Sequence, residues 1–341
     1  ENDQLKFTIV GSVLAGSLDN LAIKPGEAVE IMTGGKIPSG ANAVVPVELT
    51  SISNQTVTIN KAPKYLANIR KIGEDISIGQ IILKAGKYLR PAEIGLLASL
   101  GISKISVFKK LTVVYFSTGD EVVAAGSSAT SGQIFDANRP MLKAMLQHNH
   151  IDLIDCGIVP DNKDALADAY EQALQGADVV ISSGGASDGI EDHTQNAMLQ
   201  IGAECVFWRL AMKPGRPMAV GRRGKELIFC LPGNPVAAFV CTRLLILPLL
   251  GRASGGAWQP ALKIGVPAGF THRKKPGRAE FLRVILENSD GKQQLALHGR
   301  KGAGVISSLT GADGLVEIPL DNAGVELGTV LNFLPFHERG L

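Results

Sequence analysis

Between residues 106 and 251 the hydrophobic pattern alternates between two kinds of segment. Residues 111–116, Leu-Thr-Val-Val-Tyr-Phe, are almost continuously apolar, as a strand covered on both faces requires. Asn138 and Pro140 then open a helical pattern that places Met141, Leu142, Met145 and Leu146 on one face. A strand over 151–158, a helix over 162–174 and a strand over 178–182 follow. This succession predicts a parallel α/β sheet, whose ligands bind beyond the carboxyl ends of its strands.

On either side the rhythm shortens. Residues 7–10, 28–32, 43–47 and 56–59 read as brief strands among Gly, Pro and Asn, predicting a small all-β unit. Residues 91–100 carry a helical pattern with Pro91 at its start and Gly101 just past its end. After Gly255-Gly256 short strands return at 261–266, 280–286, 294–297, 314–318 and 329–333, as expected of a second β unit, a barrel or sandwich. The domain boundaries expected are 1–72 for the β-rich unit, 73–106 for a helical linker, 107–253 for the α/β domain and 257–337 for the C-terminal barrel.

Composition narrows the function classes. With 34 basic and 32 acidic residues in 341, the chain has no charge excess that would call for nucleic acid or a membrane surface. The longest apolar segment, around 236–250, is interrupted by Thr242, Arg243 and Pro248 and is expected not to span a bilayer. Cys156, Cys205, Cys230 and Cys241 show no metal-ligand spacing and read as buried, reduced thiols of a cytoplasmic protein. The first residue is glutamate, so the native chain is expected to begin further upstream.

Three strand-to-helix junctions carry the candidate chemistry. They are Ser117-Thr118-Gly119-Asp120-Glu121, the run from Ser183 through Gly184, Gly185 and Ser187 to Gly189, and Leu231-Pro232-Gly233-Asn234-Pro235. Small residues let backbone approach a ligand, and hydroxyl and N–H groups suit phosphate; Asn234 before Pro235 is placed to cap a helix whose positive end faces an anion. None fits a GxxxxGKS/T or GxGxxG loop. Asp75, Asp120, Glu121, Asp188, Glu191 and Asp192 could hold a hard cation such as Mg²⁺ through oxygen, or serve as caps and loop charges. His193 is expected to be a helix-start surface residue. Arg209, Lys213 and Arg216 stand on a segment stiffened by proline and glycine, a pattern suited to an oxyanion. His272 to Arg278 and Arg283 form a second basic cluster.

Together these stretches resemble the molybdopterin molybdenumtransferase family, which is similar to the gephyrin E domain. The resemblance is carried by Met32-Thr33-Gly34-Gly35, Gly73-Glu74-Asp75-Ile76, Ser117-Thr118-Gly119-Asp120-Glu121, Ser183-Gly184-Gly185-Ala186-Ser187, Lys213-Pro214-Gly215-Arg216-Pro217, Leu231 to Pro235, and Pro276-Gly277-Arg278, in family order across nearly the whole chain. It implies a multidomain α/β protein: a molybdopterin-binding parallel sheet flanked by the N-terminal β unit, the helical linker and a C-terminal β-barrel. It implies a homodimer that binds adenylylated molybdopterin, releases AMP and inserts molybdate with a divalent cation present.

The same resemblance implies roles. Asp75, Glu121 and Asp192 would be catalytic, with Glu121 and Asp192 at the metal and Asp75 acting across the dimer. Thr33, Ser117, Thr118, Gly119, Ser183, Gly184, Gly185, Ser187, Arg209, Lys213, Arg216, Pro232, Gly233, Asn234, Pro235, Arg278 and Ser307 or Ser308 would line the ligand and molybdate pocket. A transient contact with molybdopterin adenylyltransferase is a further implied partner. Two departures stand out: an upstream stretch of the family with an active-site aspartate has no counterpart here, and Asp188 occupies a position usually small or apolar. The competing functions are a molybdopterin adenylyltransferase and a catalytically silent molybdopterin-binding scaffold.

Overall fold

The computed structural model describes residues 4–17, 20–186, 193–258, 260–289, 291–300 and 302–336. The chain divides into two compact units, Glu1–Lys84 and Ala85–Leu341.

The first unit is built on a four-stranded sheet of β1 (Leu5–Val13), β2 (Glu27–Ile31), β3 (Thr50–Ser53) and β4 (Thr56–Ile59) in the order β2-β1-β4-β3. Residues 43–47, expected as a strand, are not one. Val44 donates its N–H to Ala67 O, Pro46 has none to give, and a 3₁₀ turn follows at Val47–Leu49.

The second unit begins with α1 (Pro91–Ser99), started by Pro91 and stopped where Gly101 takes φ +74°. Its central sheet contains β5 (Leu111–Thr118), β8 (Ile151–Val159), β9 (Val179–Ala186), β10 (Glu204–Trp208), β12 (Ala219–Arg223) and β13 (Glu226–Pro232), in the order β10-β12-β13-β9-β5-β8. A small parallel pair, β6 (Val122–Val123) with β7 (Ile134–Phe135), lies in the β5 connection. Strands β13, β9, β5 and β8 are mutually parallel, and β12 runs antiparallel to both its neighbours. The all-parallel expectation is therefore corrected at this edge: the short hairpin from β12 to β13 leaves no length for a crossover.

Helices cover both faces. On one, α2 (Asn138–Leu146) and α5 (Pro235–Cys241) pack over Val113, Tyr115, Ile181 and Leu231. On the other, α3 (Lys163–Leu174) and α4 (His193–Gln200) pack over Val114, Phe116, Val180 and Cys230. Consecutive residues of β5 thus enter opposite cores, which explains its continuous apolar run. Asn162 caps α3, accepting from the Ala165 N–H at 2.9 Å.

From α5 the chain continues through a wide π turn, Thr242–Ile246, into α6 (Leu247–Ala253). The Leu247 N–H reaches back to Thr242 O, and this wider spacing carries the helix past Pro248. The resulting helix, Pro235–Ala253, has 19 residues, with mean hydropathy 1.7 in an 18-residue window, so by length and composition alone it is long and apolar enough to cross a membrane. Val236, Ala238, Val240, Cys241, Ile246 and Leu250 are buried in the core it shares with the central sheet.

The C-terminal strands are β14 (Ile264–Pro267), β15 (His272–Arg273), β16 (Ala279–Ser289), β17 (Lys292–Leu297), β18 (Gly314–Ile318), β19 (Gly324–Val325) and β20 (Val330–Pro335). They run β14-β20-β18-β16-β17, and the Ala268–Leu295 bridge brings the two edges together around Val266, Val284, Val316 and Phe333. A short strand from the α/β region, β11 (Met212–Lys213), adds parallel to β16, pairing Lys213 with Glu280.

No disulfide joins the cysteines. Cys230 and Cys241 are buried as expected, but Cys156 is exposed on β8, an edge strand of the central sheet.

Candidate active site

Strands β13, β9 and β5 are neighbours, so the three glycine-rich junctions stand side by side at their carboxyl ends. Strand β5 has β8, the next strand of this sheet in sequence, on one side and β9 on the other. The chain therefore switches direction of winding here, the place where open α/β sheets form a ligand crevice.

Two close approaches require glycine. Gly184 has φ +105°, and a Cβ there would lie 2.0 Å from Thr118 O; Gly185 has φ +66°, and its Cβ would lie 2.6 Å from Thr194 Oγ1. The β9 loop can pass over the end of β5 only without side chains at these positions. Ser117 and Ser183 are register partners, and both are buried.

The Leu231 to Pro235 turn is more closed than its sequence suggests. Pro235 does begin the helix, but Asn234 makes no side-chain cap. Pro235 has no N–H, the Val236 N–H donates to Ala303 O at 3.0 Å, and that of Ala238 to Asn234 O. The first turn of α5 is thus partly satisfied by protein carbonyls.

An acidic corner forms where β5 and β8 end. Thr118 Oγ1 donates to Asp161 Oδ1 at 3.3 Å, and the Asp161 N–H donates to Asp120 Oδ1 at 3.1 Å. Burial pushes the Asp161 carboxyl above the usual carboxylate range. The His193 charge and the Thr118 hydroxyl oppose this, while Asp120 and Glu121 add to it. Glu121 is exposed, with its carboxylate close over Gly119, where a Cβ would meet Oε2 at 3.0 Å. His193, expected to be a plain surface residue, is half-buried and acts on Asp161. Asp161 escaped the sequence reading because Pro160-Asp161-Asn162 looks like a helix start; its position just past a parallel strand was the available signal.

The cationic segment is anchored differently. The Arg209 N–H donates to Met218 O and the Leu210 N–H to Arg216 O, folding the segment back on itself. The Lys213–Pro214 peptide is cis, and Gly215 at φ +110° lies where a Cβ would come within 2.5 Å of Cys241 Sγ. Burial holds that thiol up at about 12. Lys213 Nζ is 3.1 Å from Glu280 Oε1, and His272 Nε2 is 2.8 Å from Glu280 Oε2. Burial works to raise the Glu280 carboxyl, but the bonds from His272 and Lys213 outweigh it and hold it low. Arg278 is exposed one residue before β16.

Of the two candidate serines, Ser308 is buried, accepting from Arg283 Nε at 3.1 Å and donating to Val305 O, whereas Ser307 is exposed. Thr33 and Asp75 are both exposed and belong to the first unit. Ser187, Asp188, Glu191 and Asp192 lie outside the described residues.

A two-sided α/β sheet with a crevice of small residues beside an acidic corner, followed by a β-barrel, suits a protein that handles phosphate or another oxyanion. Three family models match in order: the N-terminal region of MoeA (domains I and II) at residues 2–101, a probable molybdopterin binding domain at 115–252, and the C-terminal region of MoeA (domain IV) at 266–336. The chain is 34% identical over 337 residues to the molybdopterin molybdenumtransferase of Haemophilus influenzae, covering 98% of this chain and 83% of that protein. It is 32% identical to molybdopterin molybdenumtransferase 2 of Mycobacterium tuberculosis, covering 95% and 80%. The crystal structure of a molybdopterin biosynthesis MoeA protein from Pyrococcus horikoshii superposes with TM-score 0.74 at 31% identity, covering 98% of this chain and 82% of that one. The chain belongs to the molybdopterin molybdenumtransferase family.

Proposed function

We propose that this protein carries out the molybdate-insertion step of molybdenum cofactor biosynthesis, taking adenylylated molybdopterin, hydrolysing its pyrophosphate link to release AMP, and placing molybdate at the dithiolene. The observation that carries the reading is the meeting of three glycine-rich junctions at the ends of β5, β9 and β13, beside an acidic corner, in a member of this family.

Each part has a chemical task. Ser117, Thr118, Gly119, Ser183, Gly184 and Gly185, with Pro232, Gly233, Asn234 and Pro235, form the crevice wall that admits the pyrophosphate and pterin backbone-first. Arg209, Lys213, Arg216 and Arg278 receive molybdate, their positive charge favouring a tetrahedral dianion, with the Ser307 hydroxyl as a neutral donor. Ser308 supports that side through Arg283.

Among the described residues no three His, Cys, Asp or Glu side chains stand ready as a metal cage. Mg²⁺ seldom needs one, since it uses one or two carboxylates and completes its shell with water and substrate phosphate. The oxygen-only, mutually repelling set of Asp120, Glu121 and Asp161 fits such a cation. Held there, the cation would neutralise charge on the pyrophosphate oxygens.

A homodimer completes the proposal. It is supported by the large apolar side chains that residues 94–108 expose: Ile94, Leu100, Ile102, Ile105, Val107 and Phe108. A cytoplasmic location and hand-over of substrate from molybdopterin adenylyltransferase belong to the same reading.

The test mixes the protein with adenylylated molybdopterin, Mg²⁺ and molybdate and follows AMP. Molybdate-dependent release that is lost in Glu121→Ala and Asp192→Ala supports the reading. Tight binding without release in the wild type refutes it.

A further inference from the structure

Helix α2 starts at the crevice with Asn138, which is only 7% exposed. Its Nδ2 donates to Ser183 Oγ and to Gly233 O, both at 2.8 Å. Ser183 Oγ in turn reaches Pro232 O at 3.4 Å. The acceptors belong to the junctions after β9 and β13, and Asn138 itself closes the connection that follows β5. One amide therefore ties the β9 and β13 junctions to each other and to the helix that ends the β5 connection.

This is not the usual work of an asparagine at a helix start. The capping acceptor of α2 is Asp136, whose Oδ1 takes the Arg139 N–H at 3.0 Å, while Asn138 donates outward. Nor does fold stability account for it. Asn138 Oδ1 and the neighbouring Ser117 Oγ are buried with no hydrogen-bond partner among the described residues, a cost an apolar side chain would not carry. The residue sits on a rigid base: Arg139 pairs with Asp155, which also accepts from the buried Tyr115 hydroxyl at 2.7 Å. Glycine at 184 and 185 offers no side-chain amide or hydroxyl to join the two junctions, so the bond between them falls to Asn138.

We propose that Asn138 is the positioning residue of the crevice: its amide fixes the spacing of the β9 and β13 junctions and so presents their backbone to the bound pyrophosphate and pterin. The proposal rests on the function inferred above for its ligand, while its structural half can be read without any ligand.

The experiment compares wild type with Asn138→Ala, the similarly sized Asn138→Asp, and Leu142→Ala, a buried position on the same helix. Amide hydrogen exchange on the full protein is expected to quicken tenfold or more at residues 183–185 and 233–234 in both Asn138 variants. KM for adenylylated molybdopterin is expected to rise about ten- to hundredfold, the equivalent of one or two lost hydrogen bonds, with kcat changed much less. Leu142→Ala is expected to lower the melting temperature without producing this pair of changes. Loop exchange at the wild-type rate, KM within twofold of wild type in a folded variant, or the same pair of changes in Leu142→Ala would each overturn the proposal. If the wild type does not turn over the substrate, the assigned ligand falls, and the exchange result still decides whether Asn138 ties the loops.

Discussion

The acidic corner after β5 and β8 and the cationic segment at 209–217 treat charge in opposite ways. At the corner, Asp161 is half-buried near Asp120 and Glu121, and its carboxyl is driven upward by burial, to which the neighbouring acids add, against the pull of His193 and Thr118. In the cationic segment, Lys213 meets the buried Glu280, whose other oxygen is held by His272. One region is left short of positive charge, and the other has been balanced. The difference underlies the roles proposed for them: a carboxylate set short of positive charge would gain by accepting a cation, whereas a paired lysine would be held in place for an anion.

The comparison breaks most sharply at the corner. Asp161→Ala and Glu121→Ala are each expected to reduce molybdate-dependent AMP release by about a hundredfold or more, the scale typical of lost acid–base or charge-stabilising groups. Activity within threefold of wild type would show that the corner's charge is incidental.

A smaller effect is expected on the compensated side. Ser308→Ala removes the acceptor of Arg283 Nε and should cost about 1–3 kcal/mol of stability, while Ser307→Ala, at an exposed position, should stay within about 0.5 kcal/mol. Denaturant midpoints decide this, and equal costs would mean that Ser308 does not support the guanidinium.

Glu280→Gln should cost about 1 kcal/mol, a figure kept low because Lys213 is 58% exposed and solvent screens the pair. Its more telling readout is KM, which should change if Glu280 aims Lys213 at the substrate.

The finest test uses pH. Asp161 has a raised folded value, so its contribution to stability is complete below the ordinary aspartate range and is lost as pH rises through the raised value. Asp161→Asn should therefore be more stable than wild type at neutral pH, with the gain vanishing on acidification. Glu280 has a lowered folded value, so its contribution is present above the ordinary glutamate range and is lost as pH falls through the lowered one. The Glu280→Gln deficit should close in acid. Melting curves across pH whose differences run in the same direction for both variants would erase the distinction between the two regions.

Local information was enough for much of the fold. The Pro and Gly punctuation of α1 and the Asn162 cap of α3 rest on interactions within a few residues, while the unbroken apolar run of β5 is readable because its periodicity records burial on both faces. The strand expected at 43–47 failed because Val44 bonds a distant carbonyl, and the helix after Pro235 continued past Pro248 because a π turn accommodated the ring. Sequence also marked the three glycine-rich junctions, since close backbone approach leaves no alternative to small residues.

What only the tertiary structure decided is which of these parts meet. Asn138 lies 45 residues from Ser183 and 95 from Gly233, and Lys213 lies 67 from Glu280. Asp161 gained its unusual carboxyl from burial beside Asp120 and Glu121. The sequence by itself determined the local backbone, the cores and the kinds of chemistry available, because those depend on nearby residues and on periodicity. Partnership, compensation and frustration were settled by folding, because electrostatics and hydrogen bonding act through space and take no account of separation along the chain.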